Sequence, residues 1–405
     1  MLRFRDPLFD RQLVRTVGHA TYGGAELGEV LAAVADLDEL DRDGWLAAFT
    51  ALADRTLAAA DTSAGSGHRI SARAAYLRAA NYHRAAYVLH LESPVPSAAF
   101  TAHRRHRAAF ARAAALLDRP AEPLAIPFED TTLPGWFVPA TAPTAAARAP
   151  VVITVGGADS TAAEAYFWNG AAAVARGYHA VIFDGPGQGS MLLDRGMPFR
   201  PDWHLVIAAV IDEIAARPDV DPARIAVIGE GFGGFLTLGA AARDPRIAAC
   251  VLDPPEVDLY AAALERLPLP AALKAELTNG PRLLVAALEV GLRQRAGHVS
   301  DGWALRRGVL THGVTTPWAY VVDTRRYRHT VETAAAIRCP TLVCHAASDE
   351  RADHTRAIFD KLTCDRSYLP FTAAEGAGDH CAIGSRALYH ERVFDWLDDQ
   401  LAPPP

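Results

Sequence analysis

The sequence predicts an α/β protein in which a mostly parallel β-sheet is covered by helices on both faces. After Pro120, short apolar runs rich in β-branched residues alternate with stretches of helical periodicity, as expected when helical crossovers join buried parallel strands. Glycine-rich turns follow several of these runs. Because open parallel sheets bind ligands beyond the carboxyl ends of their strands, we expect the functional residues in these turns.

The composition narrows the class of protein. The chain has 405 residues, of which 50% are hydrophobic and 21% are charged, and its formal net charge is −7. These values exclude a miniprotein and a disordered chain. Mild acidity without a block of Lys and Arg argues against a dedicated nucleic-acid binder. We therefore expect a small-molecule ligand.

Other features predict a cytoplasmic protein without a metal or cofactor. No apolar stretch approaches the roughly twenty residues of a membrane span, and the N-terminus lacks a signal-peptide pattern. The five cysteines form no CxxC pair, which favours reduced thiols. His345, Asp349, Asp353 and His354 lie close in sequence, but their spacing matches no familiar metal site.

Residues 1–118 have a helical pattern and predict a helical roof, with Ser71 as a plausible N-cap of one helix. One stripe of that helix is formed by Tyr76, Ala80, His83 and Tyr87. The stripe is either a buried packing face or part of a substrate pocket to which Tyr82 or His83 contributes.

The predicted sheet occupies residues 119–253 and 338–405. A strand pair is expected at 124–130 and 134–140. Six further strands are expected at 151–155, 179–184, 224–229, 246–253, 340–346 and 366–371. Residues 254–337 return to a helical pattern, which predicts an inserted lid.

Two turns that follow strands are rich in glycine. The turn GGADST at 156–161 can present backbone N–H groups to a ligand, and DGPGQGS at 184–190 is unusual for a routine connection. Each is also compatible with a simple rigid turn.

A third turn, IGEGFGG, supports two incompatible interpretations. Gly229, Gly231 and Gly234 form a GxGxxG pattern with Asp253 ending the next strand, as in nicotinamide-dinucleotide-binding enzymes. The same residues match the nucleophile elbow of an α/β-hydrolase, G-x-S-x-G-G, with Gly231 at the serine position. A dinucleotide fingerprint normally opens its fold, whereas this turn comes after at least two strand-helix units.

The chain order favours the hydrolase. Asp349 follows one predicted strand and His380 follows the next, giving the order elbow, acid, histidine that is typical of α/β-hydrolases. We therefore predict an α/β-hydrolase fold with a mostly parallel eight-stranded sheet, a helical N-terminal roof and a helical lid insertion.

From about 43 to 401 the chain resembles a family of α/β-hydrolases that includes fermentation-respiration-switch-like proteins, pseudooxynicotine-type C–C hydrolases and fungal polyketide-shortening hydrolases. The motifs that carry the resemblance are SAR-x5-RAANYHRA, GGADST, DGPGQGS, IGEGFGG, CPTLV, EGAGDHC and FDWLD. The resemblance implies a homodimer whose helical N-terminal segment covers the site. It also implies cleavage of a C–C bond next to a ketone, or of an ester, in an aromatic or polyketide-like compound of secondary metabolism.

The resemblance also implies roles for individual residues. Asp349 corresponds to the acid that orients the base His380. The N–H groups of Phe232 and of Gly157 or Ala158 correspond to the oxyanion hole. Glu164 matches an auxiliary acid of some C–C hydrolases. The remaining candidates for substrate contact are Asp159, Trp168, Tyr82 and His83.

Gly231 departs from the family pattern because it lacks the nucleophilic hydroxyl. Serine hydrolases without a working triad lose many orders of magnitude in rate. In one explanation, His380 acts directly as a general base on water, a hydroxyl or an acidic C–H, which fits C–C or ester cleavage, elimination or cyclisation. In a second, the chain is a serine C–C or ester hydrolase captured as an inactive glycine variant. In a third, it is a non-catalytic member that binds a ligand.

Overall fold

The computed structural model of the protein describes residues 1–141, 148–265, 267, 274, 282–349 and 352–402. The strands are β1 (Glu122–Phe128), β2 (Thr131–Val138), β3 (Ala149–Val155), β4 (His179–Phe183), β5 (Val220–Glu230), β6 (Ile247–Asp253), β7 (Thr341–Ala346) and β8 (Arg366–Phe371). They form one eight-stranded sheet in the order β1-β2-β4-β3-β5-β6-β7-β8.

The sheet is mostly parallel. Strands β3 to β8 pair in parallel, while β1 and β2 form an antiparallel hairpin whose second strand pairs antiparallel with β4. The predicted strand pair and the six further strands are thus confirmed. The dinucleotide interpretation is not supported, because a dinucleotide-binding sheet has a different strand order.

Helices cover both faces because the central strands are apolar on both. All residues of β3 and of β4 are buried. Along β3, Val151 and Ile153 belong to one core with the helices that follow β4 and β5, while Val152 belongs to a second core with the roof and the C-terminal helix. The period-two alternation of a strand therefore supplies two hydrophobic layers from one sequence run.

The N-terminal helices are α1 (Pro7–Gly18), α2 (Leu27–Val34), α3 (Arg42–Gly65), α4 (Arg69–Tyr87) and α5 (Ser97–Ala114). Asp6 caps α1 by accepting from the N–H groups of Leu8 and Phe9. The predicted cap of α4 is wrong, because the chain turns at Gly67 and Ser71 lies inside the helix.

The helices within and after the sheet are α6 (Ala162–Ala165), α7 (Ala171–Ala175), α8 (Gly189–Leu193), α9 (His204–Ala215), α10 (Phe232–Ala241), α11 (Leu259–Glu265), α12 (Arg282–Gly297), α13 (Trp303–Thr311), α14 (Pro317–Asp323), α15 (Val331–Ala335), α16 (Ala352–Lys361) and α17 (Arg386–Gln400). Helices α11 to α15 lie in the segment predicted to be a lid. The helical pattern that the sequence predicts directly after Glu265 falls mostly outside the described residues. The division into roof, core and lid stays a prediction. Among the helices described, none is both long and apolar enough to cross a membrane.

Candidate active site

The elbow between β5 and α10 places Gly231 at a backbone conformation that favours glycine. Its φ is 58° and its ψ is −124°, a region that costs other residues energy. The Gly231 N–H donates to the carbonyl oxygen of Asp253 at 2.7 Å. Two residues later, a Cβ on Gly233 would lie 2.0 Å from the carbonyl oxygen of Val155. The glycines of this turn therefore allow the elbow to pack directly on the end of β3.

His380 and Asp349 are brought together by the turns after β8 and β7. His380 Nδ1 lies 2.6 Å from Asp349 Oδ1. Because an ionised carboxylate only accepts hydrogen bonds, Nδ1 carries the proton, and the Nε2 of a neutral ring is left with a free lone pair. Asp349 is thus placed to orient a base.

The two groups shift each other's pKa in opposite directions. Burial opposes ionisation of Asp349, but the hydrogen bond and charge of His380 outweigh it and lower the pKa of the carboxyl. Loss of water around the His380 ring works against protonation, yet Asp349 overcomes this and raises the pKa of His380. The His380 side chain is 46% exposed, so the effect of the carboxylate dominates that of burial.

The elbow points at the histidine. A Cβ placed on Gly231 would lie 3.3 Å from His380 Nε2 and 3.8 Å from the Cα of Gly157. The turn after β3, the elbow and the loop after β8 that carries His380, here called the histidine loop, therefore converge on one point. At that point the chain has an oriented imidazole nitrogen and no side chain from residue 231.

The candidate oxyanion loop follows β3. A Cβ on Gly157 would lie 3.6 Å from the backbone nitrogen of Phe232, so the two segments predicted to supply the N–H groups are adjacent. The side-chain amide of Gln188 donates to the carbonyl oxygens of Gly156 at 2.7 Å and Gly157 at 3.1 Å. These bonds give the second glycine-rich turn a structural role, because it braces the loop. Ala158, the other predicted donor, packs at the edge of the core.

Glu164 does not have the surroundings of an auxiliary acid. Arg15 donates to both of its carboxylate oxygens at 2.8 and 2.7 Å, and Arg84 and His19 lie within 3.1 Å. Burial favours the neutral acid, but the two arginines prevail and hold the pKa of Glu164 well below its usual range. A carboxylate held ionised in this way is a poor proton donor, so we interpret it as an anchor that ties α1 and α4 to α6.

Asp159 belongs to the same buried cluster of charges. Its carboxylate lies 2.7 Å from Arg15, 3.5 Å from Arg84 and 3.8 Å from Arg307 of α13. Asp159 is predicted to contact substrate, whereas in the structure its oxygens meet arginines from α1, α4 and α13. The oxyanion loop is therefore tied to the helices above it.

Two predicted pocket residues on α4 lie elsewhere. The Tyr82 hydroxyl donates to Glu29 and accepts from the Glu26 N–H, and the buried ring of His83 lies 3.5 Å from Asp54 of α3. Helix periodicity alone could not tell which neighbours the stripe faces. Both side chains pack among the N-terminal helices, so the pocket interpretation of Tyr82 and His83 is wrong.

Trp168 lies behind the histidine loop. It is buried against Cys381, which follows His380 in the chain. The guanidinium of Arg386 lies 4.5 Å from its ring centroid. This placement supports the position of the histidine loop and does not show contact with a substrate.

Sequence reasoning missed Arg386, which joins the elbow to the histidine loop. From α17, Arg386 donates to the Cys381 carbonyl oxygen at 2.8 Å and to Glu230 at 2.7 Å. Glu230 immediately precedes Gly231. Burial raises the pKa of Glu230 although Arg386 acts to lower it. The same guanidinium also donates to the Trp168 carbonyl oxygen at 2.7 Å and to the Asn169 side-chain oxygen at 3.3 Å. An arginine in a C-terminal helix has no distinctive pattern in the sequence.

Asp253 is buried beneath the elbow. Its two carboxyl oxygens have no hydrogen-bond partner among the described residues. Burial and the charge of Glu230 raise the pKa of Asp253 to about 7. An acid enclosed in this way does not reach a ribose, which is a further reason against the dinucleotide interpretation of GxGxxG.

An aromatic wall, formed by Phe199, Phe232 and Tyr327, extends from the elbow toward α13. The ring of Phe232 lies 4.8 Å from that of Phe199 and 5.9 Å from that of Tyr327, measured between centroids. Phe199 is fixed by its backbone N–H, which donates to the carbonyl oxygen of Thr311 at the end of α13. The side of the site next to the lid is therefore apolar and aromatic.

Comparisons with known proteins agree with the fold. The family model described as serine aminopeptidase S33 matches residues 145–369. Hydrolase ORFZ of Pyricularia oryzae is 34% identical over 98% of this chain and 97% of its own. The 20-hydroxy-prefusarin hydrolase FUS2 of Gibberella moniliformis is 32% identical over 98% of both chains. The crystal structure of 2,6-dihydroxy-pseudo-oxynicotine hydrolase has a TM-score of 0.76 at 22% identity over 95% of this chain and 96% of that one, which shows a shared fold.

Proposed function

The chain belongs to the α/β-hydrolase family described as serine aminopeptidase S33, and on that premise we propose that it is an enzyme that uses His380 and Asp349 as a general base without a serine nucleophile. Its substrate is an aromatic or polyketide-like ketone or ester, and the reaction breaks a C–C or ester bond. Elimination or cyclisation at the same base is the non-hydrolytic form of this proposal.

One observation supports the mechanism above all others. The direction in which a serine side chain would leave Gly231 points at His380 Nε2, at 3.3 Å from the Cβ position. With glycine in place, a water molecule or a substrate atom can take up the space next to the nitrogen. General-base catalysis needs the base within hydrogen-bond reach of the proton that it removes.

In the hydrolysis of a β-diketone, His380 Nε2 removes a proton from water while the water oxygen bonds to one carbonyl carbon. The N–H groups of Phe232 and Gly157 stabilise the resulting oxyanion. The C–C bond to the central carbon then breaks, and the enolate that leaves takes the proton back from His380. The products are a carboxylic acid and a ketone.

The aromatic wall supports the substrate class. Phe232 is half-buried and can offer part of its ring to a flat ligand, while the buried rings of Phe199 and Tyr327 pack against it. Two similar proteins bear names that specify 20-hydroxy-prefusarin and 2,6-dihydroxy-pseudo-oxynicotine, which are small organic molecules. A cytoplasmic homodimer that acts in secondary metabolism remains part of the proposal.

The test is turnover of an aromatic β-diketone, benzoylacetone, followed by chromatography of the acid and ketone products. We expect His380→Gln to lower the rate about 10²–10⁴-fold. The matched control is His298→Gln, which changes an exposed histidine and should leave the rate unchanged. A rate that survives in His380→Gln would overturn the proposed base. Binding of benzoylacetone without turnover in the unaltered protein would instead favour the non-catalytic alternative.

A further inference from the structure

A second histidine-carboxylate pair lies on the lid. His312, just after α13, has its Nδ1 2.8 Å from Asp323 Oδ2 at the end of α14. The other Asp323 oxygen accepts from Arg326 at 2.9 Å. Burial favours the neutral acid, but His312 and Arg326 lower the pKa of Asp323, which therefore stays ionised. As with the first pair, an ionised acceptor assigns the proton to Nδ1 and determines how the ring is oriented.

The pair belongs to the aromatic wall that begins at the elbow. The His312 ring lies 4.8 Å from Tyr327 and 6.1 Å from Phe199 between centroids, and both of those rings contact Phe232. The backbone bond from Phe199 to Thr311, the residue before His312, holds the two segments together. A single ring, that of Phe199 or of Tyr327, therefore separates His312 from Phe232, whose N–H is a candidate oxyanion donor.

The distal nitrogen of His312 has no hydrogen-bond partner among the described residues, although the side chain is only 5% exposed. By contrast, the buried His106 has both ring nitrogens engaged, by the Ala80 carbonyl oxygen and the Thr161 hydroxyl. The hydroxyl of Tyr327, beside His312, is also unpaired within the described part of the chain. An oriented imidazole with an unused nitrogen, enclosed by aromatic rings, is suited to one polar group of an otherwise apolar ligand.

We propose that His312, oriented by Asp323, is a specificity-determining residue whose Nε2 accepts a hydrogen bond from a hydroxyl group of the substrate at the end remote from His380. This inference rests on the proposed function, since it assumes that an aromatic ketone lies along the wall from Phe232. The residue is not required for the chemical step itself.

The test compares the binding of two probes, benzoylacetone and para-hydroxybenzoylacetone, by titration calorimetry. We expect the unaltered protein to prefer the hydroxylated probe. His312→Asn retains an amide near the Nδ1 position for Asp323 but removes the distal nitrogen. It should weaken binding of the hydroxylated probe about 5- to 10-fold, the effect of one hydrogen bond, and leave binding of benzoylacetone unchanged. His298→Asn, which alters an exposed histidine of the same lid, is the control.

The outcomes distinguish the role of His312 from the proposed substrate class. Equal weakening of both probes, or no change for either, overturns the role of His312 alone. Failure of both probes to bind the unaltered protein overturns the proposed substrate class together with this inference. If His312→Asn does not fold, Asp323→Asn replaces it, and a loss confined to the hydroxylated probe is again the expected result.

Discussion

Replacing Gly231 by serine restores the one atom that the candidate site lacks. The substitution forces a side chain into a backbone with φ of 58°, which costs about 1–3 kcal/mol. Its Cβ would lie 3.3 Å from His380 Nε2, so the ring must move by a few tenths of an ångström. The serine oxygen, one bond beyond that Cβ, then comes within hydrogen-bond reach of the ring nitrogen.

The assay is covalent labelling by a fluorophosphonate together with burst hydrolysis of an activated aryl ester. We expect Gly231→Ser to be labelled to about one equivalent and the unaltered protein to remain unlabelled, since only the serine supplies a nucleophile. Gly231→Ala is the matched control, because it introduces the same strain without the oxygen. Gly231→Ser combined with His380→Ala should lose both the burst and most of the labelling.

Thermal unfolding separates strain from chemistry. Gly231→Ser and Gly231→Ala should lower Tm by similar amounts, a few degrees for a chain of this size. A serine variant that is as stable as the alanine variant, yet shows neither labelling nor a burst, would refute the convergence of the three turns. In that case His380 would serve a structural purpose, and the proposed base would have to be abandoned.

Three further predictions test the surroundings of the elbow. Because His380 acts as a base only when neutral and its pKa is raised, turnover in a pH-rate profile should increase with pH through a midpoint above 6.5. Asp349→Asn should lower this midpoint and should lower the maximal rate by about 10²–10⁴-fold. Between the unfolded pKa of 3.8 and the folded pKa of about 7, native Asp253 holds a proton that the unfolded chain has lost, so it destabilises the fold increasingly as pH rises. In urea unfolding, the free energy of unfolding of Asp253→Asn relative to the unaltered protein should rise by up to about 1.4 kcal/mol per pH unit in that range. A pH-independent difference would contradict this. Arg386→Met should cost about 3–5 kcal/mol by leaving the buried Glu230 without a cationic partner. Denaturant unfolding should show that adding Glu230→Gln recovers part of the loss, whereas purely additive losses would mean that the pair is not coupled.

The sheet could be predicted because its strands carry their signal locally. Strand β3 is a continuous apolar run between turn residues, and burial on both faces requires no knowledge of its neighbours. The turns after β5, β7 and β8 could be aligned in the same way, since parallel strands bring their carboxyl ends to one edge. From this edge the pairing of His380 with Asp349 follows, and the structure places the two atoms 2.6 Å apart.

The charge cluster above the oxyanion loop could not be predicted. Arg15 and Glu164 are distant in the chain, and nothing in either local sequence specifies the other. For Glu164 the family resemblance suggested an acid with a role in proton transfer, whereas its partners in space keep it ionised. The pKa of a buried carboxyl depends on its neighbours more than on its motif, and these neighbours come from distant parts of the chain.

The charged groups around the elbow argue that the site is more than an inherited scaffold. Asp349 is only 11% exposed and Glu230 only 5%, and withdrawing such carboxylates from water is unfavourable unless each is paired. Apolar residues of similar volume would stabilise a purely structural turn as well or better. In this chain the paired groups do what a scaffold does not need: Asp349 orients a half-exposed imidazole toward Gly231, and Arg386 links Glu230 to the loop that carries that imidazole. With no side chain at Gly231, these contacts hold His380 Nε2 in place, and its lone pair is what a general-base mechanism requires.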